Sequence, residues 1–304
     1  MKILVTGGGG FVGRNLTTQL IQDGHEVTIT STGSEPTFSG VKKILYMGLN
    51  GIDWNYVKDQ DVVVHLMANN DTLCRDSEEM LRANLYGPIE LFRCALEEGC
   101  KKFVYASSAA VYGSSPPPFK EEETQVKPLN IYGESKAMFD NFAMNFAKEN
   151  QVSVTGLRYS NVYGPGEEQK DRRMSMIGQL LRKMARDINP ILFEFGEQKR
   201  DWVYVKDVVQ ANILSITQDC KEKTGRIFNI GSGESFSFNE IVKLINETIN
   251  KNLNISYIPC SFQENFQNYT QCDISKAKKE LGFNPEFSLK SGIQEYYRSL
   301  IVSC

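Results

Sequence analysis

Residues 6–13 read Thr-Gly-Gly-Gly-Gly-Phe-Val-Gly and follow directly on the apolar run Ile3-Leu4-Val5. Gly7, Gly10 and Gly13 recur at three-residue intervals, and between Arg14 and Asp23 the side chains of Leu16, Leu20 and Ile21 share one helical face that Gly24 ends. The pattern predicts a strand from Met1 to Thr6, a tight turn and then a helix. Glycines placed there let the backbone turn sharply and approach a ligand closely, so a pyrophosphate can rest on the amides of the helix N-terminus. Gly7, Gly10 and Gly13 are therefore candidates for holding a dinucleotide.

The same alternation continues along the first half. Strand signals fall at Glu26 to Thr30, Asp61 to Leu66, Lys102 to Ala106 and Ser153 to Leu157, with a long helical pattern from Ser77 to Glu98. Strands alternating with helices predict an α/β fold, a Rossmann-type doubly wound parallel sheet. Ser114 to Lys127, rich in proline and charge, reads as a solvated surface loop. From Tyr163 the alternation becomes irregular, and Gly164-Pro165-Gly166 breaks it. A boundary is expected there: residues 1–164 form a dinucleotide-binding and catalytic domain, and residues 165–304 form a smaller, mainly substrate-binding domain. The stretch around 204–216, a strand followed by a helix, is expected to pack back on the first domain. A further helix is expected near the end, capped by Asp273, continued by Lys276 to Leu281 and stopped by Gly282 and Pro285.

Composition removes several function classes. The 34 Lys and Arg against 37 Asp and Glu leave a net charge of -3, so no overall basic field draws nucleic acid or anionic lipid. Seven cysteines without a CxxC pair argue for reduced thiols, and two histidines, His25 and His65, are too few for a transition-metal site. His65, beside Leu66 at a strand end, reads as a hydrogen-bonded core histidine, and His25 as a surface residue. No stretch has the length and apolarity of a membrane helix or a signal peptide, so a cytoplasmic protein is expected.

Two features address the chemistry. Strand two ends in Thr30-Ser31-Thr32-Gly33-Ser34, without the carboxylate that usually binds a ribose 2′-hydroxyl about 20 residues beyond such a turn. A 2′-phosphate is then tolerated, with Arg14, Lys42 or Lys43 within reach, which slightly favours NADP over NAD; a loop indifferent to the cofactor reads about equally well. Ser31 and Thr32 are expected to border the cofactor. Further on, Phe103 to Gly113 (FVYASSAAVYG) precedes Tyr132-Gly-Glu-Ser-Lys136, in which the tyrosine and lysine lie four apart on one helical face. A cationic Lys136 beside the Tyr132 phenol would stabilise phenolate, and lowering a phenol from ~10 toward ~7 takes about 4 kcal/mol. Ser108, at the strand end, is placed to hold a substrate hydroxyl.

With TGGGGFVG, YASSAAVYG, YGESK, LRYSNVYGPG, KRDWVYVKDVV, FNIGSGESFSF and DISKAKKELGFNP, the chain resembles the extended short-chain dehydrogenase/reductase family, the NAD-dependent epimerases and dehydratases. The resemblance implies that Ser108, Tyr132 and Lys136 are the catalytic triad and that Phe11, Val12, Ala68, Asn84 and Val162 contact the cofactor. It also implies that Asn161 and Arg200 hold a nucleotide-diphosphate sugar, the guanidinium being suited to a bidentate grip on pyrophosphate. Dehydration is disfavoured, because Ser108-Ala109-Ala110 stands where the dehydratases carry Thr-Asp-Glu. The runs KPLNIYGESK, NVYGPGEEQK, LFEFGEQKRDWVYV and NYTQCD are most similar to the ADP-glycero-manno-heptose 6-epimerases. In that group a lysine matching Lys170 is a second acid–base residue; without the resemblance a solvated loop lysine beside Glu167 and Glu168 reads as well.

The chain departs from the group at Gly48, where relatives have an Asp that contacts adenine, and at Phe266, where the heptose epimerases have a substrate-binding tyrosine. Phe193 is a further candidate for stacking on the substrate base, against a plain core role beside Leu192. The expected reaction is redox-neutral epimerisation: oxidation of a sugar hydroxyl carbon, then hydride return to the opposite face. The alternatives are a UDP-hexose 4-epimerase, an NADPH-dependent 4-keto-6-deoxy nucleotide-sugar reductase and, in another class, a redox sensor without turnover. The resemblance also implies a homodimer, joined through Ser77 to Glu98 and Tyr132 to Glu149. The second helix carries Met138, Phe139, Phe142, Ala143 and Phe146, more apolar surface than one buried face needs.

Overall fold

The computed structural model describes residues 1–31, 38, 41–45, 54–218, 224–259 and 267–302. Thr32, Gly48 and Phe266 lie outside the described residues.

The first strand, β1 (Lys2–Thr6), leads through the glycine turn into α1 (Phe11–Gln22), then β2 (Glu26–Ser31) and β3 (Lys42–Leu45). After β4 (Val62–His65) the chain forms α2 (Ser77–Leu81) and, past a wider π-type turn at Arg82–Tyr86, α3 (Gly87–Glu97). Next come β5 (Lys102–Ser108), α4 (Ile131–Asn150), β6 (Ser153–Tyr159) and β7 (Asn161–Tyr163). The remainder holds α5 (Met176–Ala185), β8 (Ile191–Phe193), β9 (Lys199–Arg200), β10 (Trp202–Tyr204), α6 (Val205–Thr217), β11 (Gly225–Ile230), β12 (Phe236–Ser237), α7 (Phe238–Ile249), β13 (Ser256–Ile258) and α8 (Leu289–Val302).

Seven strands make one parallel sheet in the order β11-β6-β5-β4-β1-β2-β3. Burial on both faces explains why β1 and β4 read as continuous apolar runs rather than alternating ones. Ile3 and Val5 face one way, with Leu16 and Leu20 of α1 and Ala211 and Ile216 of α6. Leu4 faces the other way, with Phe92 of α3 and Phe139 and Phe146 of α4. There Phe92 meets Phe103 at 4.6 Å and, edge-on, Phe139 at 5.3 Å. A third core lies outside the sheet, under α5, α7 and α8, built from Tyr163, Leu181, Trp202, Ile241, Ile245 and Tyr296.

The return expected around 204–216 is present, since α6 packs against α1. It is extended by β11, which pairs with β6 from Gly225↔Val154 to Ile230↔Tyr159 and so adds a second-half strand to the sheet. Most of the apolar stripe on α4 is spent inside the chain: Phe139, Ala143 and Phe146 are buried, Phe142 is partly buried, and Met138 stays exposed. The helix expected near the end is present at 275–281: Asp273 accepts from the Ser275 amide at 2.8 Å, Ala277–Leu281 winds as a wider π-type turn, and Gly282 at φ 74° closes it.

The stretch 114–127 is largely exposed, as a surface loop is expected to be, but it is anchored at Phe119. Phe119 is fully buried and stacks on Tyr112 at 4.7 Å. Its amide donates to the Gln271 carbonyl at 2.7 Å, and its carbonyl accepts from the Asp273 amide at 2.8 Å. One aromatic side chain among prolines and acids is enough to pin the segment. Phe119→Ala is therefore expected to destabilise the protein by about 3–5 kcal/mol in urea unfolding, where a solvated side chain would cost less than about 0.5 kcal/mol.

Candidate active site

Because the strands are parallel, the C-terminal ends of β1, β4 and β5 lie side by side and carry the glycine turn, the Ala68 loop and Ser108 along one edge. Gly7 has φ 69°, and a Cβ there would sit 2.9 Å from the Met67 amide nitrogen. A Cβ on Gly13 would lie 2.0 Å from the Gly7 carbonyl oxygen, so turn and helix can close only without side chains. Gly10 caps α1 without a side-chain acceptor, and no acidic residue occupies the first turn, where Phe11 and Val12 stand. Such an uncapped helix start, approached by bare backbone, fits the pyrophosphate of a dinucleotide.

The flanking residues hold this turn. Thr30 Oγ1 accepts from the Gly7 amide at 3.2 Å, and Ser31 is buried at the end of β2. Asn84, on the π-type turn, spends its side chain on structure: Oδ1 accepts from the Asn69 amide at 2.8 Å, while Nδ2 donates to the Asn69 carbonyl at 2.9 Å and Ser135 Oγ at 3.1 Å. It thereby fixes the backbone around half-buried Ala68 and ties that loop to α4. Arg14, a candidate for a 2′-phosphate, instead donates to the Gly9 carbonyl at 3.2 Å and Gln169 Oε1 at 2.8 Å.

Ser108 Oγ accepts from the Ala110 amide at 3.1 Å as the chain leaves β5. Asn130 caps α4 through the Gly133 amide at 2.9 Å and so sets Tyr132 in the first turn, where Ser108 hydrogen-bonds its phenol. One turn on, buried Lys136 donates from Nζ to the Ala106 carbonyl at 2.8 Å. Ser108, Tyr132 and Lys136 are thus supplied by β5 and α4, but their electrostatics differ from the expectation. Burial pushes the Tyr132 phenol above its ordinary pKa and the Ser108 hydrogen bond draws it back; the ammonium of Lys136 is turned to a carbonyl. Lys136 itself is lowered to about 8 by burial, against the opposing charge of Asp140. Asp140 accepts from Tyr105 OH and Arg158 Nε, both at 2.9 Å, and Arg158 Nη1 donates to Tyr112 OH at 2.9 Å.

On the substrate side, β7 pairs with β10 in the register Asn161↔Trp202 and Val162↔Val203. This brings LRYSNVYGPG against KRDWVYVKDVV. Asn161 Nδ2 donates to the Asp201 carbonyl at 3.0 Å. Arg200 is 8% exposed, lies 5.9 Å from the Phe238 ring centre and is lowered to about 10 by burial, still cationic near neutrality. Phe193 is half-buried in β8 beside β13. Among the described residues it makes no hydrogen bond to Ser108, Tyr132 or Lys136.

Lys170 sits on a short 3-10 turn, Glu168–Arg173, with its ammonium 5.2 Å from the ring centre of Phe11 in the glycine turn. Burial lowers its pKa while Glu167 raises it, so the solvated-lysine alternative does not describe it. Sequence reasoning missed Asp201. Its buried carboxylate accepts from the amides of Ser232 (2.7 Å), Gly233 (3.3 Å) and Cys272 (3.0 Å), and from Ser232 Oγ at 2.9 Å. The visible signal was an acid between Arg200 and the apolar run Trp202-Val-Tyr204.

His65 is a core residue, as expected: its Nδ1 lies 2.7 Å from Thr6 Oγ1. Burial, and secondarily Lys136, lower its pKa to about 3. An unfolded chain binds this proton near 6.5, so the folded state loses stability as pH falls from about 6.5 toward 3 and keeps that contribution in full above 6.5. NMR should find the His65 ring shifts unmoved between about pH 8 and 5 in the folded protein.

Residues 3–231 match the NAD dependent epimerase/dehydratase family. The ADP-L-glycero-D-manno-heptose-6-epimerase of Brachyspira hyodysenteriae is 31% identical over 310 residues, spanning 97% of this chain and 96% of that protein. The crystal structure of the Helicobacter pylori enzyme of the same name aligns with a TM-score of 0.88 and 32% identity, over 99% of this chain and 96% of that one. MoeE5, solved with UDP-glucuronic acid and NAD, aligns with a TM-score of 0.90 and 28% identity over 100% of both chains. With the glycine turn, the Ser108–Tyr132–Lys136 assembly and a match of this length, the chain belongs to the NAD dependent epimerase/dehydratase family.

Proposed function

We propose that this chain is an NAD(P)-dependent nucleotide-sugar epimerase, with ADP-heptose as the substrate and C6 as the carbon to test first. One observation carries the reading: Lys170 on the 168–173 turn, a second candidate for proton handling, holds its ammonium 5.2 Å from the ring centre of Phe11 in the glycine turn, on an element separate from the α4 helix that carries Tyr132. Epimerisation needs protons handled on both sides of one carbon.

When bound, the dinucleotide supplies the hydride acceptor and then the hydride donor. The chain does the rest. Arg200 and Asn161 hold the diphosphate of the sugar nucleotide. Ser108 hydrogen-bonds the sugar oxygen, and Tyr132 takes its proton. Since burial raises the Tyr132 pKa, its phenolate needs a cation, and Lys136, one turn along the same face, provides it. Lys170 handles the proton on the other side. Residues 165–304 mainly shape the sugar site around the third core. Phe193 and Phe266 are the aromatic candidates for that site.

NADP is slightly favoured over NAD because Thr30-Ser31-Thr32-Gly33-Ser34 offers no carboxylate to a 2′-hydroxyl. Mass analysis of dinucleotide released from the purified protein decides it. A second reading, a 4-epimerase of a UDP-hexose, is favoured by structural relatives that hold UDP-sugars. Among the described residues no helix is long and apolar enough to cross a membrane, and Cys74, Cys94, Cys100 and Cys272 are free thiols, which fits a reducing cytoplasm.

The protein, mixed with ADP-heptose, UDP-hexoses or GDP-mannose and no added reductant, should produce a new epimer by NMR from one of them. Tyr132→Phe should slow that reaction by ~10²–10⁴-fold. A homodimer is expected through a cavity of about 580 Å³ between α3 and α4, lined by Arg93, Leu96, Phe142 and Phe146, with a second copy as its occupant. A monomeric mass by light scattering would overturn that assembly.

A further inference from the structure

The segment that carries Lys170 is held by one buried carboxylate. Glu167 is fully buried; its Oε2 accepts from the Ser175 amide at 2.6 Å, and its Oε1 accepts from the Ser175 hydroxyl at 2.7 Å and the Gly164 amide at 3.4 Å. The same side chain therefore grips both ends of the stretch from 164 to 175. Its own carbonyl accepts from the Lys170 amide at 2.9 Å. A Cβ on Gly178 of α5 would fall 2.6 Å from Glu167 Oε1, so the space beside the carboxylate exists because that position is glycine.

The outer side of the stretch is fastened to the glycine turn. Asn15 Nδ2 donates to the Pro165 carbonyl at 3.0 Å and to the Phe11 carbonyl at 3.0 Å. Arg14 bridges Gly9 and Gln169, and Arg173 Nη1 donates to Asn70 Oδ1 at 3.4 Å, on the loop after β4. Lys170 is thus set over Phe11 by a frame whose inner anchor is Glu167. A hydroxyl or an amide could accept these hydrogen bonds; only a carboxylate also brings negative charge into the buried base of the segment that carries Lys170.

We propose that Glu167 is the positioning residue for Lys170, fixing the segment against the glycine turn and supplying the counter-charge to its ammonium. This rests on the reading of Lys170 as the second acid–base group. Among the described residues, the charged groups facing Lys170 are Glu167, which raises its pKa, and Arg173, which lowers it, beyond the larger lowering by burial. Arg14 reaches the same turn through Gln169, and Tyr296 of α8 faces Glu167 and Glu168 from the other side.

The test is Glu167→Gln, which keeps size and an acceptor but removes the charge, in the dinucleotide-loaded protein. NMR titration of 13Cε-labelled lysine, with the Lys170 signal assigned through Lys170→Arg, should show the Lys170 midpoint moved to lower pH. With ADP-heptose as probe, kcat should fall about tenfold or more with KM nearly unchanged, and the alkaline limb of the kcat profile should move the same way. Glu167→Asp, which keeps the charge, should leave the midpoint near the parent value even if it unfolds at a lower temperature. An unmoved Lys170 midpoint in Glu167→Gln overturns the proposal. Lys170→Ala separates the two ideas. If it leaves turnover intact, the acid–base reading of Lys170 fails while the titration still judges Glu167. If it slows turnover and Glu167→Gln adds nothing in that background, both stand. If Glu167→Gln slows Lys170→Ala by the same factor as the parent, Glu167 acts elsewhere and the proposal falls.

Discussion

The site depends on a close approach of bare backbone. With a Cβ on Gly13 only 2.0 Å from the Gly7 carbonyl, and one on Gly7 only 2.9 Å from the Met67 amide, no other residue lets α1 start where it does. That start puts an uncapped helix terminus at the edge of the sheet, in line with the ends of β4 and β5. It also forms the surface on which the second half of the chain leans, since Asn15, Arg14 and Phe11 each touch the stretch from Pro165 to Lys170. The glycine turn and the second-half turn are thus referred to one fixed point.

Behind that edge, charge is buried in chains rather than singly. Lys136 faces Asp140 across one helical turn. Asp140 is bonded by Tyr105 and Arg158, Arg158 by Tyr112, and Tyr112 donates to Asn229 Oδ1 at 2.7 Å. Asn229 continues to the carbonyls of Phe119 and Asp273. An isolated buried ion would cost several kcal/mol, so each charge is retained only with its partners in place. The consequence is coupling across the fold: Lys136, the 114–127 stretch and β11 share one network. Asp201 does the same for the substrate side, gathering 160, 232, 233 and 272 around one carboxylate.

Much of this was legible in one dimension because local chemistry decided it. The glycine spacing, the Tyr132/Lys136 pair and the unbroken Val62-Val63-Val64 run each specify a turn, a helix face or a doubly buried strand with little outside help. The failures have the opposite cause. Phe119 looked like one aromatic in a polar loop, and only Tyr112 and the 271–273 backbone make it core. The strand β11 and the helix α8 depend on β6 and on the third core for their burial. The bonds of Asn84 to Asn69 and Ser135, which tie the loop after β4 to α4, likewise span distant segments.

The sequence by itself determined the parallel sheet, the glycine turn and the shared helical face of Tyr132 and Lys136, because those follow from steric freedom at glycine and from helical and strand periodicity. The tertiary structure decided the surroundings of these groups and of Lys170. Burial depth and the direction of an ammonium are sums over distant segments: Lys136 turns to the Ala106 carbonyl, Tyr132 is raised rather than lowered, and Glu167 and Phe11 meet Lys170 only after the chain has closed on itself.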